Sequence, residues 1–568
     1  MLEDIPYNQR KEVKPHIITA ADSPLPNLDV IKILVEKFGV NINIQLLNPI
    51  YKRVRSYNDV PGDTALHILA LGRHWWQLKA MEYLLQHGAN PEVKNLFGQT
   101  VLHFAVSPNN YLCGYLKEKS VKLLLEHRAD PNAIDEKGLT CLNKATHSFE
   151  LVRMLIKAGA DVGLGENPIL FSVIDAGDAT MLKVVLEAGA NPNTGTKDPQ
   201  KRMGWKPGMQ QTMAFPVHYA ALSKFNNRNY RHRAIAIVKL LLEHGADPWL
   251  KFNRDGHEIT ILHDIICSGI RAPFLEIPNL DLERRDAGGR TLLLAACSSC
   301  EGTYSRIDYG AHDPGDTRLL AQRQEKMTED DPSPAMTLYK MGANLTAISA
   351  DGNNALHYLL VATPHNSKQY EKTFSLFINK APNLIHQKNN EGNKPFNIAI
   401  QKLKKWSAKT LMDAGADPKE KDSQGNTPFH YLVPRLFSDR DGLLPLFREF
   451  LSKGISINEI NDRGETPVFG YFRISTRQRD QEATKKGLNL LLEAGADVFA
   501  RNKDGETLLH VVAKKVFGNS METMESEKDA VHSFKLLMEL GLHPMVEDNE
   551  QRTALVSSFS WVARLEKC

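Results

Sequence analysis

The chain has 568 residues, and a single hydrophobic core stops growing near about 250–300, so it must be several domains or a modular array. Lys and Arg number 70 against 67 Asp and Glu, a net charge of +3 without the footprint of a dedicated nucleic-acid or membrane-surface protein. A hydrophobic content of 42% with 24% charged residues excludes wholesale disorder, and six cysteines exclude a disulfide scaffold and suit a reducing compartment.

The N-terminus, MLEDIPYNQRKEVKPH, has no apolar core of a secretory signal, and no run reaches the roughly 18 apolar residues of a membrane span. The expected location is the cytoplasm or nucleus, with no membrane insertion. Residues 1–14 form a short lead, after which one phrase returns along the chain. Gly62-Asp63-Thr64-Ala65-Leu66-His67 recurs as Gly98-Gln99-Thr100-Val101-Leu102-His103, Gly425-Asn426-Thr427-Pro428-Phe429-His430 and Gly505-Glu506-Thr507-Leu508-Leu509-His510. A second phrase alternates with it: LLQHGANP (84–91), LLEHRADP (124–131), LIKAGADV (155–162), VLEAGANP (185–192), LLEHGADP (241–248), LMDAGADP (411–418) and LLEAGADV (491–498).

Each position has a physical task. The glycine that opens the first phrase suits a turn conformation that side chains resist. Thr64 and its equivalents can cap a first helix, and Pro395, Pro428 and Pro467 suit the first helical position, where a missing N–H costs nothing. Leu pairs such as Leu84-Leu85 and Leu241-Leu242 give a second helix a buried stripe, and the glycine of GADP ends it in a left-handed conformation.

The two interleaved phrases, at a period near about 33 residues, resemble the ankyrin repeat almost end to end. The resemblance implies an all-α solenoid of stacked units, each a helix–turn–helix plus a β-hairpin, about 13–14 in number over residues 15–568. Degenerate first helices are expected near Ile17, Pro168 and Pro216, and residues 553–568 read as a capping half-repeat. Excess residues loop out near 194–213, 222–233 and 299–333, with smaller insertions at 362–371, 433–444, 473–486 and 515–530, the last reading as a solvated helical extension or loop. Weak points are expected near 163–168 and 299–335.

In ankyrin-repeat proteins the histidine of the first phrase ties neighbouring repeats through backbone hydrogen bonds. The resemblance gives that role to His67, His103, His218, His263, His357, His430 and His510, and one histidine per repeat does not converge on a metal ion. Cys297 and Cys300 form a CxxC, with Cys267 one repeat earlier. Without a second pair they read as packed thiols. Phosphate-loop, GxSxG, HExxH and kinase signatures do not occur, so neither catalysis nor a cofactor or metal is expected.

The resemblance implies recognition without turnover: a scaffold or adaptor holding a protein partner on the concave face of hairpin tips and first helices. Two other readings stand beside it, a regulatory module such as a ubiquitin-ligase substrate receptor or transcriptional co-regulator, and an enzyme or ligand-binding protein with a site built from insertions. Candidate contact residues are Trp205, Arg228 and Tyr230 in insertions, Trp75 and Trp76 between two helices, and Phe97, Arg463 and Lys503 at tips, because Trp, Tyr and Arg dominate protein contacts. Nucleic acid is not the expected partner, since the net charge gives it no support. Asn132 and Asn193, after the GADP phrase, are expected to make hairpin hydrogen bonds.

Overall fold

The computed structural model describes residues 16–23, 25–46, 61–71, 74–108, 114–165, 169–196, 215–222, 231–254, 257–266, 271–298, 333–362, 367–436, 442–473, 481–517 and 524–554. They fall into two compact units, Met1–Leu280 and Asp281–Cys568. Both are built from the same short-helix, long-helix pair, repeated side by side.

In the first unit the pairs are His16–Ala21 with Leu28–Glu36, Ala65–Ala70 with Gln77–Gln86, Val101–Ala105 with Gly114–Glu126, Cys141–Lys144 with Phe149–Lys157, Ile169–Ala176 with Ala179–Glu187, Pro216–Leu222 with Arg231–Glu243, and Ile261–Ile265 with Ala272–Leu275. In the second they are Leu292–Ser298 with Pro334–Lys340, Ala355–Val361 with Ser367–Lys380, Pro395–Gln401 with Lys405–Asp413, Pro428–Leu432 with Leu444–Ser452, Pro467–Arg473 with Gln481–Glu493, and Leu508–Phe517 with Met524–Glu539. The degenerate starts at Ile17 and Pro216 are therefore first helices, whereas Pro168 lies outside the described residues. So do residues 555–568, most of the expected half-repeat.

The division of labour between the helices follows from their sequences. First helices are apolar all round, and every residue of Ala65–Ala70 is buried between its neighbours. Second helices bury one stripe, as Ala80, Met81, Leu84 and Leu85 do in Gln77–Gln86, and turn their charges to water. The second unit fills this layer with aromatic rings: Phe429 meets Phe447 and Phe450 edge-on at 5.2 and 6.1 Å. Such pairs add to the area that each ring buries.

Second helices end as their glycines dictate. Gly88, Gly159, Gly189, Gly245, Gly342, Gly415 and Gly495 all have positive φ. In LLEHRADP the same place is held by Arg128, at φ 64°. A side chain in that conformation costs roughly 1 kcal/mol. Arg128→Gly is accordingly expected to raise stability by up to about 1 kcal/mol, read as a higher denaturant midpoint at unchanged slope. No gain, or a loss, would mean that the Arg128 side chain makes a compensating contact.

The insertions differ from expectation in one respect. Residues 367–371 belong to helix Ser367–Lys380, residues 481–486 to Gln481–Glu493, and residues 524–530 to Met524–Glu539, so some of the excess lengthens second helices. For 515–530 a helical extension is one of the two readings, whereas the rule that surplus residues loop out misses the other two, because a helix extended into solvent satisfies its own backbone. Most of 194–213, 222–233 and 299–333 lies outside the described residues. True strands appear once among the described residues, where Lys251–Arg254 pairs antiparallel with His257–Thr260. Other tips are turns, two of them closed by the single bridges Ile134–Thr140 and Glu547–Thr553.

Candidate interaction surface

The surface offered by tips and first helices rests on three sets of hydrogen bonds. The first closes each turn. Three residues before the turn glycine, a side-chain oxygen accepts backbone N–H groups across the tip: Asn95 Oδ1 from Phe97 and Gln99 (2.9 and 3.0 Å), Asp422 Oδ1 from Gln424 and Asn426 (2.9 and 2.8 Å), Asn461 Oδ1 from Arg463 and Glu465 (2.9 and 3.1 Å). The second runs from tip to tip through the backbone. The N–H of Glu136 donates to Phe97 O, Asp462 to Gln424 O and Lys503 to Arg463 O, each at 3.0 Å.

The third is the histidine staple. Thr64 N–H donates to His67 Nδ1 at 3.2 Å, which makes Nδ1 the acceptor and leaves the proton on Nε2. His67 Nε2 then donates to the carbonyl of Gln99 in the next repeat, at 3.2 Å. His103, His357, His430 and His510 repeat the arrangement onto Leu139, Asn393, Glu465 and Arg552 at 3.2, 3.0, 2.9 and 2.9 Å. Burial pushes His67 and His103 down to about 4, and lowers His357 and His430.

His218 departs from the expected backbone bond. Phe215 stands where the capping threonine would be, and His218 Nε2 meets Asp264 Oδ2 at 2.9 Å, both residues buried. His263 keeps its threonine, with Nδ1 2.6 Å from Thr260 Oγ1. Asn132 and Asn193 make the expected bonds, each to the following repeat. Asn132 donates to Gly159 O and accepts from Asp161 N–H at 3.0 and 2.7 Å, and Asn193 does the same with Gly245 and Asp247 at 2.9 and 2.8 Å.

This framework presents charges that are already partnered. Lys144 reaches Asp135 at 2.9 Å. Arg473 pairs with Glu465, Lys514 with Glu506, and the Tyr431 hydroxyl donates to Asp422. Burial pushes the Asp135 carboxyl up, but Lys144 and the N–H groups of Leu139 and Lys137 overcome it and hold it below its usual value. Glu506 is likewise held low, by Lys514 and Asn502 against its burial.

Two hollows open between these pairs in the second unit. One, of about 400 Å³, is lined by residues that include Glu391, Asn393, Gln401 and Tyr431. The other, of about 390 Å³, is lined by residues that include Asn426, Arg463, Thr466 and Arg473. Gln424 lines both. The Asn393 Oδ1 and Thr466 Oγ1 atoms are buried with no hydrogen-bond partner among the described residues.

Of the residues expected to make contacts, Arg463 lines the second hollow and is exposed, and Lys503 is exposed on the next tip. Phe97 is 51% exposed and Trp75 is 67% exposed. Trp76 is a correction: at 2% exposure its ring belongs to the core at the start of Gln77–Gln86, so it offers no contact surface. Trp205, Arg228 and Tyr230 lie outside the described residues, as do Cys267 and Cys300. Cys297 is buried. Sequence reasoning missed Thr466 and Asn393. The signal for Thr466 was the phrase TPVF, in which Phe469 replaces the histidine that would occupy its hydroxyl.

Among the described residues no helix is long and apolar enough to cross a membrane. Comparison with known proteins finds the family model "Ankyrin repeats (3 copies)" over residues 17–134 and "Ankyrin repeat" over 214–253. Similar proteins include the human transient receptor potential cation channel subfamily A member 1, 21% identical over 86% of this chain and 41% of that protein. The phosphocholine transferase AnkX of Legionella pneumophila is 24% identical over 33% of this chain and 19% of its own. The chain thus spans less than half the length of these curated relatives. Among solved structures, the ankyrin repeat domain of Bcl-3 is 21% identical, with a TM-score of 0.31, over 44% of this chain and 92% of that one. The matched stretches, residues 17–134 and 214–253, are ankyrin repeats, and the helix pairs seen there recur through both units.

Proposed function

We propose that the protein is a non-catalytic interaction scaffold or adaptor whose partner is a protein, held on the face of tips and first helices. Ankyrin repeats are protein-interaction modules, and repeat stacks present extended surfaces for that purpose. The observation that carries the reading is the surface itself: backbone hydrogen bonds fix each tip, leaving Phe97, Arg463 and Lys503 free to vary and to face a partner. A rigid scaffold lowers the ordering cost of binding.

The test is capture from the native cell with the whole chain and with a Phe97→Ala, Arg463→Ala, Lys503→Ala variant. These side chains lie outside the core, so thermal unfolding should be unchanged. The expected result is a saturable protein partner, weakened at least about tenfold in the variant, since tip aromatics and arginines are the side chains that dominate such contacts. A partner held equally by both would remove the tips from the reading. A purified chain carrying a small molecule or metal, and no protein, would overturn it.

A further inference from the structure

The two hollows of the second unit differ in chemistry. The first, beside Glu391 and Asn393, is an acceptor site. Asn393 Oδ1 is buried and unpartnered, while its amide donates to the exposed Glu391 carboxylate at 3.3 Å. The Tyr431 hydroxyl donates to Asp422 and accepts from Asn426 Nδ2 at 3.1 Å, and Gln401 donates its amide to the same Asp422 carboxylate at 3.4 Å, so both direct a donor away to Asp422 and the acceptors left for a ligand are Glu391 and Asn393. No cationic side chain lines this hollow among the described residues.

The second, beside Arg463 and Thr466, is a donor site. The Arg463 guanidinium is exposed, and among the described residues it makes no ion pair. Thr466 is 3% exposed, and its hydroxyl has no hydrogen-bond partner among the described residues. Two carboxylates line this hollow. Glu465 is neutralised by Arg473, and the Asp462 carboxylate lies over Gly425 on the preceding tip.

We infer that the two hollows take side chains from one extended peptide segment of the partner, a lysine or arginine in the first and an aspartate or glutamate in the second. This rests on the interaction reading above and names the chemistry of what is bound. The spacing follows from the repeat. Packed helices lie about 8–10 Å apart, and an extended chain in the polyproline conformation returns a side chain to the same face every third residue, about 9 Å on. A basic and an acidic residue three apart therefore reach neighbouring hollows from one backbone. The hydroxyl of Thr466 and the oxygen of Asn393 gain the partners that the folded chain withholds.

The experiment is fluorescence anisotropy of the full chain with synthetic proline-rich peptides carrying Lys and Asp three apart, in both orders. Controls place the pair two apart, or replace it by Lys-Lys or Asp-Asp. One order of the three-apart pair is expected to bind at least about tenfold tighter than every control, the scale of a charge-assisted hydrogen bond. Replacing the peptide's Asp by Asn should weaken binding to the natural chain and make no difference to Arg463→Gln. Replacing its Lys by norleucine should matter to the natural chain and not to Glu391→Gln.

Thr466→Val is the second variant. It removes an unpartnered buried hydroxyl, so stability should hold or rise while peptide binding falls. Equal binding by all the peptides, binding by none, or a Thr466→Val chain that binds as well as the natural one would each overturn the inference. Should a native protein partner be captured while Arg463→Gln and Glu391→Gln leave it untouched, the interaction reading stands and this inference fails alone.

Discussion

Stability is expected to fall steeply as the pH drops from about 6.5 toward 4, and the histidine staples are the cause. In the folded chain His67 Nδ1 accepts an N–H from Thr64 while Nε2 donates to Gln99. A second proton would have to sit on Nδ1, against a donor, so the folded state holds the ring neutral. In the unfolded chain the same ring takes a proton near its usual value of 6.5. A value held low in the folded state contributes stability that is full above 6.5 and is lost as the pH falls through the folded value. For His67 and His103, both lowered to about 4 by burial, the loss is on the order of 3 kcal/mol each, and His357 and His430 add to it in the same direction. Urea midpoints between about pH 7.5 and 4.5 check this.

The control is already present in the chain. Asn143 stands at the histidine position of its repeat, and its Oδ1 accepts from Thr140 N–H at 3.0 Å without titrating. His103→Asn should therefore cost about 1 kcal/mol near pH 7.5, for the lost bond to Leu139, and should also be less sensitive to acid. The gap between natural chain and variant is expected to close as the pH falls. A gap that stays constant with pH would show that His103 is not a source of the acid sensitivity.

The second large effect is expected at the tips. Gly464 has φ +70°, and a Cβ there would stand 2.8 Å from the backbone nitrogen of Lys503. That nitrogen donates to Arg463 O at 3.0 Å, so Gly464→Ala must push neighbouring tips apart. Gly495 is the matched comparison, with φ +83° and nothing within 4 Å of the added carbon. Gly495→Ala should cost only the conformational penalty, about 1 kcal/mol, and Gly464→Ala about 2–4 kcal/mol, because it also loses a tip bond and forces a backbone shift. Each repeat touches only its neighbours, so the damage should stay local. Hydrogen exchange should rise around residues 461–510 and change little before residue 389. Equal costs for the two variants would mean that the tip contact carries no weight.

The fold was legible because its signals are local and repeated. A turn glycine, a capping threonine, a histidine three residues on and a GADP stop recur at one period, and each marks a boundary by its own chemistry. What was not legible depends on pairs that lie far apart in sequence. Trp75 and Trp76 look alike as letters, yet the stack buries one ring and exposes the other. His218 carries the repeat's histidine, yet Phe215 and Asp264 redirect its bond. The acceptor and donor characters of the two hollows depend on which oxygens and amides are already engaged, through bonds such as Tyr431 to Asp422 within one repeat and Asn461 to Asn426 between two. Thr466 lay within reach of sequence reasoning, since a cap whose histidine has become phenylalanine has lost its partner.

The staples of His67, His103, His357, His430 and His510 end on backbone carbonyls, which every residue type supplies. A repeat joined in that way accepts any successor, and units can be duplicated, deleted or exchanged in descent without damage to the join. The bond between His218 and Asp264 is of another kind, because both of its ends are side chains. It makes the order of those two repeats a matter of inheritance as a pair. Swapping either one alone would break a buried bond between side chains, so the segment from Pro216 to Ile265 is expected to travel through evolution as one block.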